Sequence, residues 1–417
     1  MALAGLHPRT LFVIPSGSIA MRSHSVHYRF KPAAEFAYLC GQTIADSVLV
    51  IAGGEAHLLR PEQTDVTWGE QPVPSDDERI ASGRLSVHPI SELETLIESL
   101  AARFDRLALP IGRDRLTDQT ALAQAQYQRH RRRRTSAPVS VVDSRTLIGG
   151  LRAVKDPFEV QALTEAARRS SSVLQRLLAS TLTGRSERQV ANWLEAGFLL
   201  EDMQWTSYET VVGSGVRSTI LHARATDRVI KPGETVLVDA GAEWNGYCAD
   251  ITRVIPAGAR FSAEQRQVYE TVLRAQLAAI SAVRPGVTLR DLSDRANEEL
   301  LRGLADTGLD VARAPDALAQ LMPHGISHWL GLDVHDPAPH FDDSGQPVRL
   351  KPGMVFTVEP GLYFPNSMQF GKYAGIGVRI EDDILVTDDG FRVLSSVSKS
   401  VEEIEGLRAG QPSPPRA

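Results

Sequence analysis

The chain has 417 residues, 42% apolar and 23% charged, with a formal net charge of −6. That length exceeds one ordinary compact core, so two domains are expected, and the composition is that of a globular protein. The mild acidity supplies no global drive toward nucleic acid or an anionic membrane. No stretch approaches the roughly 18 apolar residues of a membrane span, and the first 25 residues lack a secretory pattern. With only two cysteines, Cys40 and Cys248, and no Cys-x-x-Cys, neither a disulfide framework nor a thiolate metal site is expected. A reducing compartment follows, most simply the cytoplasm.

Residues 1–150 read as a mixed α/β domain. Ser47 to Ala52 is strand-like and stops at Gly53-Gly54. From Glu92 to Phe104 the pattern is helical, with Leu93, Leu96, Ile97 and Leu100 on one face. The basic run Arg129 to Arg134 follows the polar segment Gln124 to Gln128 and reads as a solvated helix end, with an RNA-binding or targeting patch as the alternative, against which no aromatics interleave it for base stacking. No catalytic pattern occurs in this half, which reads as a scaffold.

A second domain, 151–408, opens at Asp156-Pro157-Phe158-Glu159, where the carboxylate caps a helix, proline suits its first turn and Glu159 completes a capping box. Ser186 with Gln189, Ser262 with Gln265, and Thr288 with Asp291 start three more helices, the last ending at Gly303. Strand-like runs lie between them at Thr235 to Val238, Ala249 to Ile255, Met354 to Val358 and Val378 to Leu385. Hairpin signals replace βαβ spacing, so the class is α+β with an antiparallel sheet. The Pro-rich tail 409–417 is expected to be disordered.

The first chemical signal is Val238-Asp239-Ala240-Gly241 followed by Ala249-Asp250-Ile251-Thr252, with the hairpin turn Asn245-Gly246 between them. If those two residues form the loop, 241 lies opposite 250 and 239 opposite 252. Asp239 and Asp250 then emerge on one face as diagonal neighbours, able to meet around a small ion. Two exposed aspartates near a turn are the alternative, against which Asp239 ends an apolar run where an unpaired charge is costly.

A second carboxylate pair follows. Glu359 closes the apolar run Phe356-Thr357-Val358, and Glu381 stands within Val378 to Leu385, two positions after Arg379 and so on the same face. A plain Arg379–Glu381 salt bridge is the alternative there. Three of the 11 histidines, His324, His328 and His335, fall in one 12-residue segment, and His222 stands apart. Four carboxylates could not share a cavity unaided, since each pair at about 4 Å repels by about 4 kcal/mol at an effective dielectric near 20. Two divalent cations balance them, and oxygen-rich ligands with one imidazole suit Mn²⁺ or a similar ion. Paired ions would acidify a bridging water, so hydrolysis is the natural chemistry.

In order, VLVDAGAEWNGYCADITR, HGISHWLGLDVHD, TVEPGLY and GIGVRIEDD resemble the Xaa-Pro aminopeptidases (aminopeptidase P), which belong to the pita-bread metallopeptidases with prolidase, methionine aminopeptidase and creatinase as cousins. The resemblance spans about residues 150–405 and continues more weakly into the N-terminal half, at Ser25 to Phe30 and Glu35 to Gly41. It implies a creatinase-like N-terminal α/β domain before a pita-bread catalytic domain, two Mn²⁺ ions, and dimers or tetramers acting on short peptides with proline in second position. Asp239, Asp250, His328, Glu359 and Glu381 match the metal ligands, Asp250 and Glu381 bridging both ions and Glu359 also taking a proton from the bridging hydroxide's parent water. His222, His324, His335 and Tyr363 match substrate-site residues, and Arg379 the residue that holds the surrounding network together. One departure is that His24-Ser25-Val26-His27-Tyr28 stands where the family carries an acidic residue; Trp68 corresponds to a tryptophan that reaches a neighbouring subunit. Prolidase activity on Xaa-Pro dipeptides and a non-catalytic peptide-binding protein are the alternatives.

Overall fold

A computed structural model describes residues 2–62, 85–112, 117–123, 138, 140–309 and 316–409. The Arg129 to Arg134 run, Trp68 and residues 410–417 of the expected disordered tail lie outside them. The chain divides into two compact units, Met1–Leu151 and Arg152–Ala417.

The first unit is built on a six-stranded mixed sheet. At its centre Thr10–Pro15 pairs antiparallel with Val48–Ala52 and parallel with Arg106–Leu109. Every residue of Thr10–Pro15 is buried, as a strand covered on both faces requires. Alternation divides its side chains: Leu11 and Val13 join Ile97, Leu100 and Phe104 on one face, while Phe12 and Ile14 join Phe36, Cys40 and Ile148 on the other. The run at 48–52 does stop at Gly53-Gly54, both with positive φ, and returns as Glu55–Arg60. The helix foreseen from Glu92 is Leu93–Ala101, preceded by a 3₁₀ turn at Ile90–Glu92. The His24 to Tyr28 neighbourhood lies on an exposed ribbon, Met21–Ser23 against Val26–His27.

In the second unit the capping boxes form as the sequence predicts. Asp156 with Glu159 opens Pro157–Leu178, Ser186 with Gln189 opens Glu187–Leu200, Ser262 with Gln265 opens Ala263–Ser281, and Thr288 with Asp291 opens Leu289–Asp306. Gly303 does not stop the last of these. A Cβ there would lie 2.0 Å from Thr271 Cγ2, so glycine admits close packing against Ala263–Ser281, and the positive-φ residue that follows the helix is Gly308.

Strand pairs of this unit, among the described residues, are all antiparallel. Of two expected strands, one is shortened and the other is broken in two. Ala249 to Ile255 yields only Thr252–Pro256, with Tyr247–Cys248 before it. Val378 to Leu385 divides into Gly377–Arg379, paired with Gly361–Tyr363, and Asp382–Val386, paired with Val355–Val358. Glu381 therefore sits in a break rather than mid-strand. The partner strand is interrupted at the same level by Glu359-Pro360, and proline has no N–H to carry the ladder through.

Candidate metal centre

The Asn245-Gly246 turn forms, with φ of 51° and 82°, and closes Glu243–Trp244 on Tyr247–Cys248. Its register carries through to Thr235–Asp239 against Thr252–Pro256, where Asp239 faces Thr252. Asp239 and Asp250 then share one hydroxyl: Tyr208 Oη lies 2.5 Å from Asp239 Oδ1 and 2.6 Å from Asp250 Oδ1. The Asp250 amide donates to both oxygens of buried Asp383, each at 3.2 Å.

The histidine segment is stapled to the strand that ends at Glu359. Thr357 N donates to His328 O at 2.9 Å and Glu359 N to Ile326 O at 2.8 Å, while Trp329, 1% exposed, packs edge-on against Phe356. Arg152 and Lys155 pin its far end by clasping buried Asp336. The His328 Nδ1–H donates to Trp329 O at 3.1 Å, which aims Nε2 at the carboxylates: 3.3 Å from Asp250 Oδ2, 3.5 Å from Glu359 Oε1 and 3.9 Å from Glu381 Oε1. Glu381 is tied to the aspartate hairpin by its own amide on Thr252 O, 3.1 Å, and by Arg253 on its carbonyl, 2.6 Å.

Arg379 does not pair with Glu381. Its Nη2 meets Asp239 Oδ2 at 2.5 Å, its Nη1 donates to Tyr363 Oη at 3.0 Å, and its Nε donates to Thr252 Oγ1 at 3.1 Å, which in turn donates to Glu381 Oε2 at 2.6 Å. Tyr363 Oη also lies 2.8 Å from His324 Nε2, and His324 Nδ1 lies 2.7 Å from Gly325 O. The His335 ring stacks edge-on to His328 at 4.4 Å. His222 is exposed, one residue beyond Leu221, whose carbonyl accepts from Arg379. Asp239, Asp250, His328, Glu359 and Glu381 thus converge, with Arg379, Tyr363 and His324 linked to them by hydrogen bonds and His335 by ring contact.

Electrostatics describe a site with too much negative charge. Burial, against the pull of Arg379, leaves Asp239 above the usual carboxylate range. Burial together with Asp250, Glu359 and Asp239 pushes Glu381 well up. Glu359 is pushed up to about 7 by burial, against His328 and Arg379. Only Asp250 falls: its burial is outweighed by the hydrogen bond from His328. Burial opposes charge on His328, but Asp250 and then Glu359 win and push it up to about 9. Four carboxylates facing one guanidinium and one imidazolium fit divalent cations, and donor atoms of Asp250, His328 and Glu381 all lie within 4.8 Å of one another.

Sequence reasoning missed Tyr208, Thr252 and Asp383. The hairpin count already set Thr252 opposite Asp239, so it was within reach. Tyr208 lies in the irregular 201–210 segment, where no periodicity aims a side chain.

Residues 161–388 match the family model described as metallopeptidase family M24, and residues 1–108 match the aminopeptidase P N-terminal domain. The chain is 30% identical over 417 residues to the Xaa-Pro aminopeptidase of Escherichia coli (strain K12), covering 96% of this chain and 94% of that protein. Aminopeptidase PepP of Pseudomonas aeruginosa superimposes with a TM-score of 0.89 at 30% identity, covering 98% of this chain and 95% of that one. Aminopeptidase P from E. coli, solved with the inhibitor Pro-Leu, gives 0.88 at 28% identity over 98% and 95%. These likenesses establish the pita-bread fold for the second unit, and the chain belongs to metallopeptidase family M24.

Proposed function

We propose that the chain is a metal-dependent Xaa-Pro aminopeptidase, removing the first residue from short peptides with proline in second position. The observation that carries this reading is the convergence of three carboxylates, Asp250, Glu359 and Glu381, on the aimed Nε2 of His328, with Asp239 tied to Asp250 through Tyr208, in a chain whose relatives bear that name.

Asp239, Asp250, His328, Glu359 and Glu381 would hold two divalent ions, Mn²⁺ by preference. When bound, such ions acidify water and polarise a carbonyl. The protein's own groups do the rest. Glu359, at the end of the strand facing His328, is placed to accept the proton of the attacking water. His324, lowered to about 4 by burial, is neutral; its Nδ1–H donates to Gly325 O and its Nε2 accepts from Tyr363. Arg379 donates to the same phenol oxygen, which fixes Tyr363 beside the reacting carbonyl. Burial and His328 lower His335, so it meets that carbonyl as a neutral imidazole. His222, exposed, is placed for the residue after the cleaved bond. Location in the cytoplasm and assembly as a homodimer or homotetramer belong to the same reading.

The test is hydrolysis of Xaa-Pro-Xaa tripeptides before and after EDTA treatment, then with Mn²⁺ restored. Loss on chelation and recovery with Mn²⁺ are expected. Activity indifferent to both contradicts the reading.

A further inference from the structure

Three of the carboxylates in the centre are held by hydroxyls, and both hydroxyls come from residues outside the expected ligand and substrate sets. Tyr208 Oη sits between Asp239 Oδ1 and Asp250 Oδ1, at 2.5 and 2.6 Å. Thr252 Oγ1 sits between Arg379 and Glu381, accepting from Nε at 3.1 Å and donating to Oε2 at 2.6 Å. Thr252 is fully buried, so its hydroxyl meets protein partners rather than bulk solvent. Each contact fixes one carboxylate oxygen, leaving the other to point elsewhere: Asp250 Oδ2 and Glu381 Oε1 both face His328 Nε2, at 3.3 and 3.9 Å.

We infer that Tyr208 and Thr252 are positioning residues that set the rotation of Asp239, Asp250 and Glu381, and that the affinity of the centre for a divalent ion depends on these two hydroxyls. The inference rests on the metal-dependent reading above. Carboxylates crowded together in one pocket turn away from one another unless held, and a hydroxyl donor on one oxygen removes that freedom before the ion arrives. Thr252 does more than Tyr208 in one respect. Through Arg379 it joins Glu381 to Asp239, so the acidic hairpin and the glutamate pair share one hydrogen-bonded frame.

Thr252→Val keeps shape and removes the hydroxyl, Thr252→Ser keeps the hydroxyl, and Tyr208→Phe removes the phenol oxygen alone. The readout is Mn²⁺ affinity of the metal-stripped, full-length protein by calorimetric titration, with thermal unfolding of the same samples to confirm the fold. Thr252→Val and Tyr208→Phe are expected to weaken Mn²⁺ binding about 10- to 100-fold, and Thr252→Ser to stay within about threefold of the parent. Folded Thr252→Val and Tyr208→Phe with parental affinity would overturn the inference, as would Thr252→Ser falling as far as Thr252→Val. Those outcomes leave the aminopeptidase reading intact, because binding is measured without substrate. Failure of the Mn²⁺-loaded parent on Xaa-Pro peptides sinks that reading alone. A parent that binds no Mn²⁺ overturns both.

Discussion

Asp239 lies directly opposite Thr252 across two antiparallel strands, and this register brings the two carboxylate pairs together. Thr252 O receives the amide of Glu381, while its hydroxyl reaches that residue's carboxylate. The acidic hairpin and the glutamate segment are thus joined at one residue. Gly241 keeps the hairpin closed between Asp239 and Asp250, since a Cβ there would lie 1.9 Å from the Ala249 carbonyl oxygen.

Gly241→Ala is therefore expected to pry the strands apart at the point where the aspartates converge. Overpacking of this kind costs about 1–3 kcal/mol, and here it displaces Asp239 from Asp250 as well. Urea denaturation and Mn²⁺ titration should both report the loss. Gly258→Ala is the control: no atom lies within 4 Å of a Cβ there, and its effect should stay within about 0.5 kcal/mol.

Metal binding should release protons. Asp250 and Glu359 hold His328 as an imidazolium up to about 9, and its Nε2 must lose that proton before it can ligate. Apparent Mn²⁺ affinity should therefore rise with pH through the neutral range and level off above about 9. Glu359, at about 7, adds to the slope on the acid side. Calorimetric titrations in two buffers of different ionisation enthalpy count the protons; an affinity flat from about pH 6 to about pH 9 contradicts this assignment.

Asp336→Ala should be among the most damaging substitutions outside the centre. Arg152 and Lys155, both buried, converge on this carboxylate at the end of the histidine segment. Its removal takes the ion-pair carboxylate from buried Lys155 and leaves Arg152 with Asp333 in its place, and breaking a buried pair costs about 3–5 kcal/mol. Chemical denaturation of the metal-free protein measures it, and a loss below about 1 kcal/mol would mean that solvent reaches the site.

Much of the centre was legible because its chemistry is written in local patterns. Asn245-Gly246 allows one tight turn, and counting outward from it sets Asp239 and Asp250 on one face. The capping boxes at Asp156, Ser186, Ser262 and Thr288 each start a helix through contacts within four residues. What escaped depends on contacts distant in sequence. Gly303 reads as a helix stop until Thr271 of the neighbouring helix is seen against it. The break at Glu381 follows from Pro360 on the partner strand, and Arg379 exchanges its near neighbour Glu381 for Asp239, 140 positions away. Tyr208 gave no signal, since an irregular segment has no period to aim its side chain.

The most direct test is hydrolysis of Xaa-Pro-Xaa tripeptides and Xaa-Pro dipeptides by the Mn²⁺-loaded protein, with Glu381→Ala beside it. Tripeptide cleavage that Glu381→Ala abolishes is the predicted result. Dipeptide cleavage alone would make the protein a prolidase. Silence on both substrates with Mn²⁺ bound would contradict the proline-specific reading outright.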